Sequence, residues 1–183
     1  MPSLYLAGPD VFRAAAAALA AAKKTLCARY GFDGLDPLDL DPPQQSTPPA
    51  TATAIFRANV ALMRRADGIV ADLSPFRGPS ADPGTVFELG FMLGQNKPAF
   101  GYSTAMAPFH DRTTAVCGVR APGGHWTDTG GLAIEDFGLH DNLMIDRALA
   151  EAGHPLVMPD RGQDALWCLE RCLQAARTHF SAH

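Results

Sequence analysis

The chain has 183 residues, 47% of them hydrophobic and 19% charged, which suits one globular domain with a sizeable core and excludes a disordered segment. Lys and Arg number 15 against 19 Asp and Glu, a net charge of 15 − 19 = −4, and no basic block could track a phosphate backbone, so nucleic acid is not an expected partner. No apolar run approaches the roughly 18–20 residues that span a bilayer, so no membrane is expected either.

Residues 3–7 (Ser-Leu-Tyr-Leu-Ala) form a short apolar run stopped by Gly8-Pro9 and read as a first buried strand. Residues 11–30 read as a helix rich in Ala and closed by Gly31. Its Ala-rich core is preceded by Pro9, Asp10 and Arg13 and followed by Lys23 and Lys24, the wrong order of flanks for a signal peptide, and the protein is read as cytoplasmic. A second strand is expected within 32–38. The Pro-, Gln- and Thr-rich stretch 39–52 reads as a loop, followed by a helix over 53–65 that offers Ile55, Val60, Leu62 and Met63 for burial.

Residues 68–73 (Gly-Ile-Val-Ala-Asp-Leu) are the clearest strand, and 74–81 form a Gly/Pro-rich loop. Asp82-Pro83 is a helix start, with Asp to cap free amides and Pro for the first turn, and the helix should run to about Gln95. Lys97-Pro98 leads into a strand ending near Tyr102. Residues 103–137 have weak periodicity and frequent Gly and read as mostly irregular, a candidate lid. A helix over 141–152, a short strand over 155–158 and an amphipathic helix over 163–180 complete the chain. Strands separated by helices imply a mainly parallel sheet covered on both faces. The expected fold is a Rossmann-like, flavodoxin-like three-layer α/β/α domain spanning the whole chain.

Cys27, Cys117, Cys168 and Cys172 show no zinc-like spacing, and Cys168 and Cys172, four apart on a helix, read as small buried hydrophobes. The six histidines are scattered. Metal chemistry has no support, and no cofactor is implied.

In open α/β sheets ligands bind beyond the carboxyl ends of the strands. Three polar features fall there: Gly8-Pro9-Asp10 after the first strand, Asp72 at the end of a central one, and Asp82 through Glu88 at the start of the next helix. Glu88 sits among Val86, Phe87, Leu89 and Phe91, where a carboxylate is costly to bury without a partner. Two readings stand on the residues alone: Glu88 turns to solvent, or it is a functional acid. Asp82 reads first as a helix cap.

The segments Tyr5-Leu6-Ala7-Gly8-Pro9-Asp10-Val11-Phe12, the run from Asp72 through Ser80-Ala81-Asp82-Pro83-Gly84-Thr85 to Glu88-Leu89-Gly90, and Asp141-Asn142-Leu143-Met144-Ile145 resemble the nucleoside 2-deoxyribosyltransferase family, in order along almost the whole chain. The resemblance implies transfer of a 2-deoxyribosyl group between nucleobases with retention at the anomeric carbon. A carboxylate nucleophile suits a carbon that becomes oxocarbenium-like, and its adduct splits one displacement into two. By motif position Glu88 is that nucleophile, Tyr5 the tyrosine that positions it, and Asp72 the acid that faces the nucleobase. Asp82 matches a second pocket acid on sugar or base. Asn142, with Met144 beside it, matches the asparagine that reaches the 5′-hydroxyl from a neighbouring subunit, which implies a homo-oligomer. Gly8 and Phe12 fall among the implied substrate positions, and Gln44 or Gln45 is offered for the base edge. The implied partners are 2′-deoxynucleosides and free nucleobases.

Two rival readings share these residues. Gly84-Thr85-Val86-Phe87-Glu88 also echoes phosphoribohydrolases that cleave nucleoside monophosphates, but Asp82-Pro83 removes one phosphate-binding amide and adds a carboxylate, which repels an anion. A nucleoside or nucleotide N-glycosidase is therefore the alternative enzyme, and a nucleoside-sensing module the non-enzymatic one.

Overall fold

The computed structural model describes residues 1–40, 45–121 and 123–182. Four parallel strands form the central sheet: β1 (Ser3–Ala7), β2 (Asp33–Leu35), β3 (Gly68–Asp72) and β4 (Ala99–Tyr102), in the order β2-β1-β3-β4. Helices α1 (Ala16–Arg29) and α6 (Ala165–Ser181) cover one face. Helices α2 (Pro48–Arg65), α3 (Pro83–Leu93) and α5 (Leu143–Glu151) cover the other. This is the flavodoxin-like arrangement expected from the alternation of strands and helices. Among the described residues no helix is long and apolar enough to cross a membrane.

The strands are buried on both sides, and their pleat sorts side chains between two cores. In β1, Leu4 and Leu6 enter the core beneath α1 and α6, while Tyr5 and Ala7 enter the core beneath α2, α3 and α5. In β3, Val70 belongs to the first core, and Ile69 and Ala71 to the second. Gly101 in β4 leaves room for Leu149 of α5: a Cβ there would stand 2.6 Å from Leu149 Cδ1.

Three local expectations need correction, and a fourth needs detail. Residues 9–12 form a 3₁₀ turn, Arg13 is extended, and α1 starts only at Ala16. Asp10 bonds both Arg13 and the buried Lys23, which folds this turn back over α1. Helix α2 starts at Pro48, inside the expected loop: Thr47 caps it, and Pro48 and Pro49 occupy the first turn, where a missing N–H costs nothing. The stretch 103–137 is irregular over most of its described residues, as expected, but not throughout. It holds α4 (Phe109–Cys117) and a small antiparallel pair, β5 (Val119–Arg120) with β6 (Trp126–Thr127). The expected strand over 155–158 is a single parallel bridge between Val157 and Tyr102, with the Val157 N–H donating to Gly101 O at 2.9 Å.

Candidate active site

Helix α3 begins where the sequence signals it. Asp82 Oδ2 accepts from Thr85 N at 2.9 Å and from Thr85 Oγ1 at 3.0 Å, and Pro83 opens the first turn. Thr85, Leu89 and Met92 face the sheet, while Phe87 and Gly90 lie on the outer side. Glu88, three residues after Thr85, is on the inner flank and does not turn to solvent. It reaches over the carboxyl end of β1, where the fully buried Tyr5 donates its hydroxyl to Glu88 Oε1 at 2.6 Å.

Burial pushes the Glu88 carboxyl up to about 7, and the nearby Asp82 charge adds to the rise; the bond from Tyr5 opposes it by stabilising the anion. Burial, and then the Glu88 charge, push the Tyr5 hydroxyl above its usual range, so it stays a proton donor. The pair is therefore a carboxylate poised near neutrality on a fixed phenol.

Glu88 opens into a cavity of about 460 Å³. Val11, Phe12, Leu38, Leu40 and Ile55 give it an apolar wall, and Asn59, Asp82, Thr85 and Glu88 supply the polar groups. Gly8 forms part of the floor. A Cβ on it would stand 3.0 Å from Asp72 Cβ, so a glycine lets the β1 and β3 ends approach closely. Such a mostly apolar hollow with a few converging polar groups is the usual form of a small-molecule site.

The structure thus joins Glu88, Asp82, Gly8 and Phe12 at one cavity, with Tyr5 buried behind Glu88. It does not bring Asp72 there. Asp72 shares the pleat parity of Val70, so its side chain lies on the α1/α6 side of the sheet, 2% exposed, with Oδ1 accepting from Ser74 N at 3.0 Å and Ser74 Oγ at 2.6 Å. The Ser74 hydroxyl in turn accepts from Thr104 N and Oγ1. Asp72 therefore fastens two strand-end loops and lies behind Gly8, next to the cavity and not in its lining.

Among the described residues, Asn142 and Met144 do not line the cavity of their own chain either. Asn142 caps α5, accepting from Met144 N at 3.0 Å and donating from Nδ2 to Glu135 Oε1 at 2.5 Å, while Met144 is 71% exposed. The buried Asp141 holds that helix start in place. It accepts from Ser80 Oγ, from Ala81 N at 3.0 Å and from Asn142 N at 2.7 Å. Gln45 is exposed, with its backbone amide on Thr51 Oγ1, and Gln44 lies outside the described residues.

Asn59 is the residue the sequence reading missed. Its signal was an amide four residues after Ile55, on the helical stripe that the cavity shares. Among the described residues no cluster of three or more His, Cys, Asp or Glu side chains could hold a metal ion.

A family model described as nucleoside 2-deoxyribosyltransferase matches residues 4–144. An uncharacterized protein of Schizosaccharomyces pombe is 30% identical over 167 residues, covering 84% of this chain and 79% of that protein. Among solved structures, a 2-desoxiribosyltransferase from Leishmania mexicana superposes with a TM-score of 0.69 at 27% identity, over 98% of this chain and 99% of that one. A conserved protein from Enterococcus faecalis has a TM-score of 0.58 at 16% identity, over 96% and 99% of the two chains, and shares the fold alone.

The raised Glu88 pKa carries a stability consequence with a definite sign. The carboxyl ionises near 4.5 in the unfolded chain and near 7 in the fold, so the folded state carries no penalty below pH 4.5 and an increasing one up to pH 7. Glu88→Gln should therefore melt close to wild type at pH 4.5 and above it at pH 8, by at most about 3 kcal/mol. Thermal unfolding at the two pH values measures this, and equal melting temperatures at pH 8 would contradict the buried-anion account.

Proposed function

The chain belongs to the nucleoside 2-deoxyribosyltransferase family, and on that premise we propose that it moves a 2-deoxyribosyl group between nucleobases by a retaining double displacement on Glu88. The observation that carries this reading is the Tyr5–Glu88 pair at 2.6 Å, opening into a largely apolar cavity. Tyr5 occupies Oε1, which leaves Oε2 to attack C1′ of a bound 2′-deoxynucleoside. The C1′–N bond breaks as the C1′–O bond to Glu88 forms, and the leaving base takes up a proton. A second base then attacks C1′, the ester C1′–O bond breaks, Glu88 recovers its charge, and the incoming nitrogen gives up its proton.

The acid that meets the base from this cavity is Asp82, whose capping bonds use Oδ2 and leave Oδ1 for a ligand. Asn59 presents an amide that can both donate to and accept from a base edge. Two carboxylates and an N-terminal proline on α3 oppose a 5′-phosphate, so the favoured substrate is the neutral nucleoside. Water taking the place of the second base gives hydrolysis, the alternative outcome.

Mixing deoxyinosine with adenine separates these readings: transfer yields deoxyadenosine, hydrolysis yields only hypoxanthine, and a sensing module yields neither. Glu88→Ala should lower the transfer rate about 10³-fold or more. A variant that keeps a tenth of the wild-type rate would remove Glu88 from the role of nucleophile.

The pH profile tests the pair. Activity on the free enzyme should fall on the acid side as Glu88 protonates near pH 7. Since the bond from Tyr5 holds that pKa down, Tyr5→Phe should move the acid limb of kcat/KM to higher pH, and an unmoved limb would place the titrating group elsewhere.

The neighbouring-subunit role of Asn142 gives a further outcome. Asn142 is absent from its own chain's cavity lining, as a residue serving a neighbour's site must be. Mixing inactive Glu88→Ala and Asn142→Ala chains should restore activity, because a mixed dimer has one pocket with both defects and one with neither. Native mass spectrometry identifies the mixed oligomers; if they form and activity stays at the level of the separate variants, the site is not shared.

A further inference from the structure

The mouth of the cavity carries a cluster of three planar groups, each about 5 Å from the other two, that the displacement itself does not use. Phe12, the last residue of the 3₁₀ turn, lines the cavity and is 61% exposed. Its ring stacks on Phe76, with centroids 5.2 Å apart and planes 25° from parallel. The Arg77 guanidinium lies 4.7 Å from the Phe76 centroid and 5.3 Å from that of Phe12. Arg77 has φ +55°, a left-handed conformation that glycine adopts freely and a side-chain-bearing residue adopts at a cost. It sits at the tip of a narrow loop closed by the Pro75–Ala81 bridge and the bond from Phe76 N to Ser80 O at 2.9 Å. That loop runs directly into Asp82.

A strained arginine where glycine would be relaxed points to a use for its side chain. A cation beside two stacked rings holds them through their quadrupoles. Phe12 otherwise rotates about two side-chain bonds with most of its surface in water. A nucleobase stacking on such a ring gains most when the ring is already fixed.

We propose that Arg77 is a positioning residue that holds the Phe12 ring at the cavity mouth as a stacking platform for an uncharged planar base. The proposal rests on the nucleoside reading of the cavity. The competing use of a guanidinium at this mouth is to bind a 5′-phosphate, and the two uses respond differently to ligand charge.

The test measures binding without turnover, by calorimetric titration of the Glu88→Gln protein with deoxyinosine and with its 5′-monophosphate. Adding Arg77→Gly should weaken deoxyinosine about three- to tenfold, and Arg77→Lys, which keeps the cation, should recover part of the loss. Phe12→Leu should weaken it similarly, and Arg77→Gly should add nothing in the Phe12→Leu background. The melting temperature of Arg77→Gly should be unchanged or higher, because glycine relieves the left-handed backbone, so lost packing cannot produce the effect. Additive losses from Arg77→Gly and Phe12→Leu, or no loss from Arg77→Gly, overturn the proposal. A loss confined to the monophosphate overturns it too and makes Arg77 a phosphate contact. If the Glu88→Gln protein binds no deoxynucleoside, the nucleoside reading falls, and this inference falls with it.

Discussion

The 2.6 Å bond between Tyr5 and Glu88 joins the first strand of the sheet to the helix that follows the third, 83 residues later, and the site depends on both being in register. Tyr5 reaches Glu88 because the β1 pleat sends alternate residues to the α3 side: a shift of one residue would bury Leu4 or Leu6 there and send the phenol beneath α1 and α6. Glu88 reaches Tyr5 because the Asp82 cap fixes where α3 begins, and hence its phase of rotation. The buried Leu89 and Met92 hold the same phase through packing. Strand parity and helix phase, each set by ordinary folding forces, therefore place one carboxylate on one hydroxyl.

The loops around that contact are fixed by polar knots, because loop backbone beyond the strand ends has few ladder partners of its own. Asp141 ties the loop before α3 to the start of α5 through Ser80, Ala81 and Asn142. Arg112 of α4 adds bonds to Pro79 O at 2.9 Å and His140 O at 2.6 Å, which clamp the same two segments from outside. Asp72, on the opposite face, performs the equivalent task for the β3 and β4 ends through Ser74 and Thr104. Each of these acids is buried with donors on its oxygens, as the cost of burying a carboxylate requires.

This division explains which parts were readable from sequence. Strand β1, strand β3 and the Asp82 cap carry local chemistry, an apolar run or a cap followed by proline, and they lie where that chemistry places them. The face of Asp72 was not readable, since a strand buried on both sides reads as continuous apolar sequence and hides its parity. The start of α2 was hidden because Pro48 and Pro49 signal a loop as readily as a first helical turn. Helix α4 has no buried residue of its own, so no apolar stripe announced it; tertiary bonds such as those of Arg112 hold it. Asn59 escaped because a single amide on an otherwise ordinary helix gains meaning only when Glu88 and Asp82 are seen across the cavity.

The two opposed influences on Glu88 bear on how a reversible transfer could run in both directions. In the proposed reaction the same carboxylate is first a nucleophile and then a leaving group. Burial makes the free anion costly, so forming the ester, which removes the charge, is favoured by the apolar surroundings. The Tyr5 hydroxyl does the reverse: its bond is strongest to the anion and is weakened when the oxygens become an ester, which favours release of the sugar to the second base. A carboxylate without the tyrosine would hold its sugar too firmly, and one in open water would attack too weakly. A pKa raised from 4.5 to about 7 shows that burial outweighs the hydrogen bond, which restrains the rise without cancelling it, and the excess follows from how deeply β1 and α3 enclose the acid.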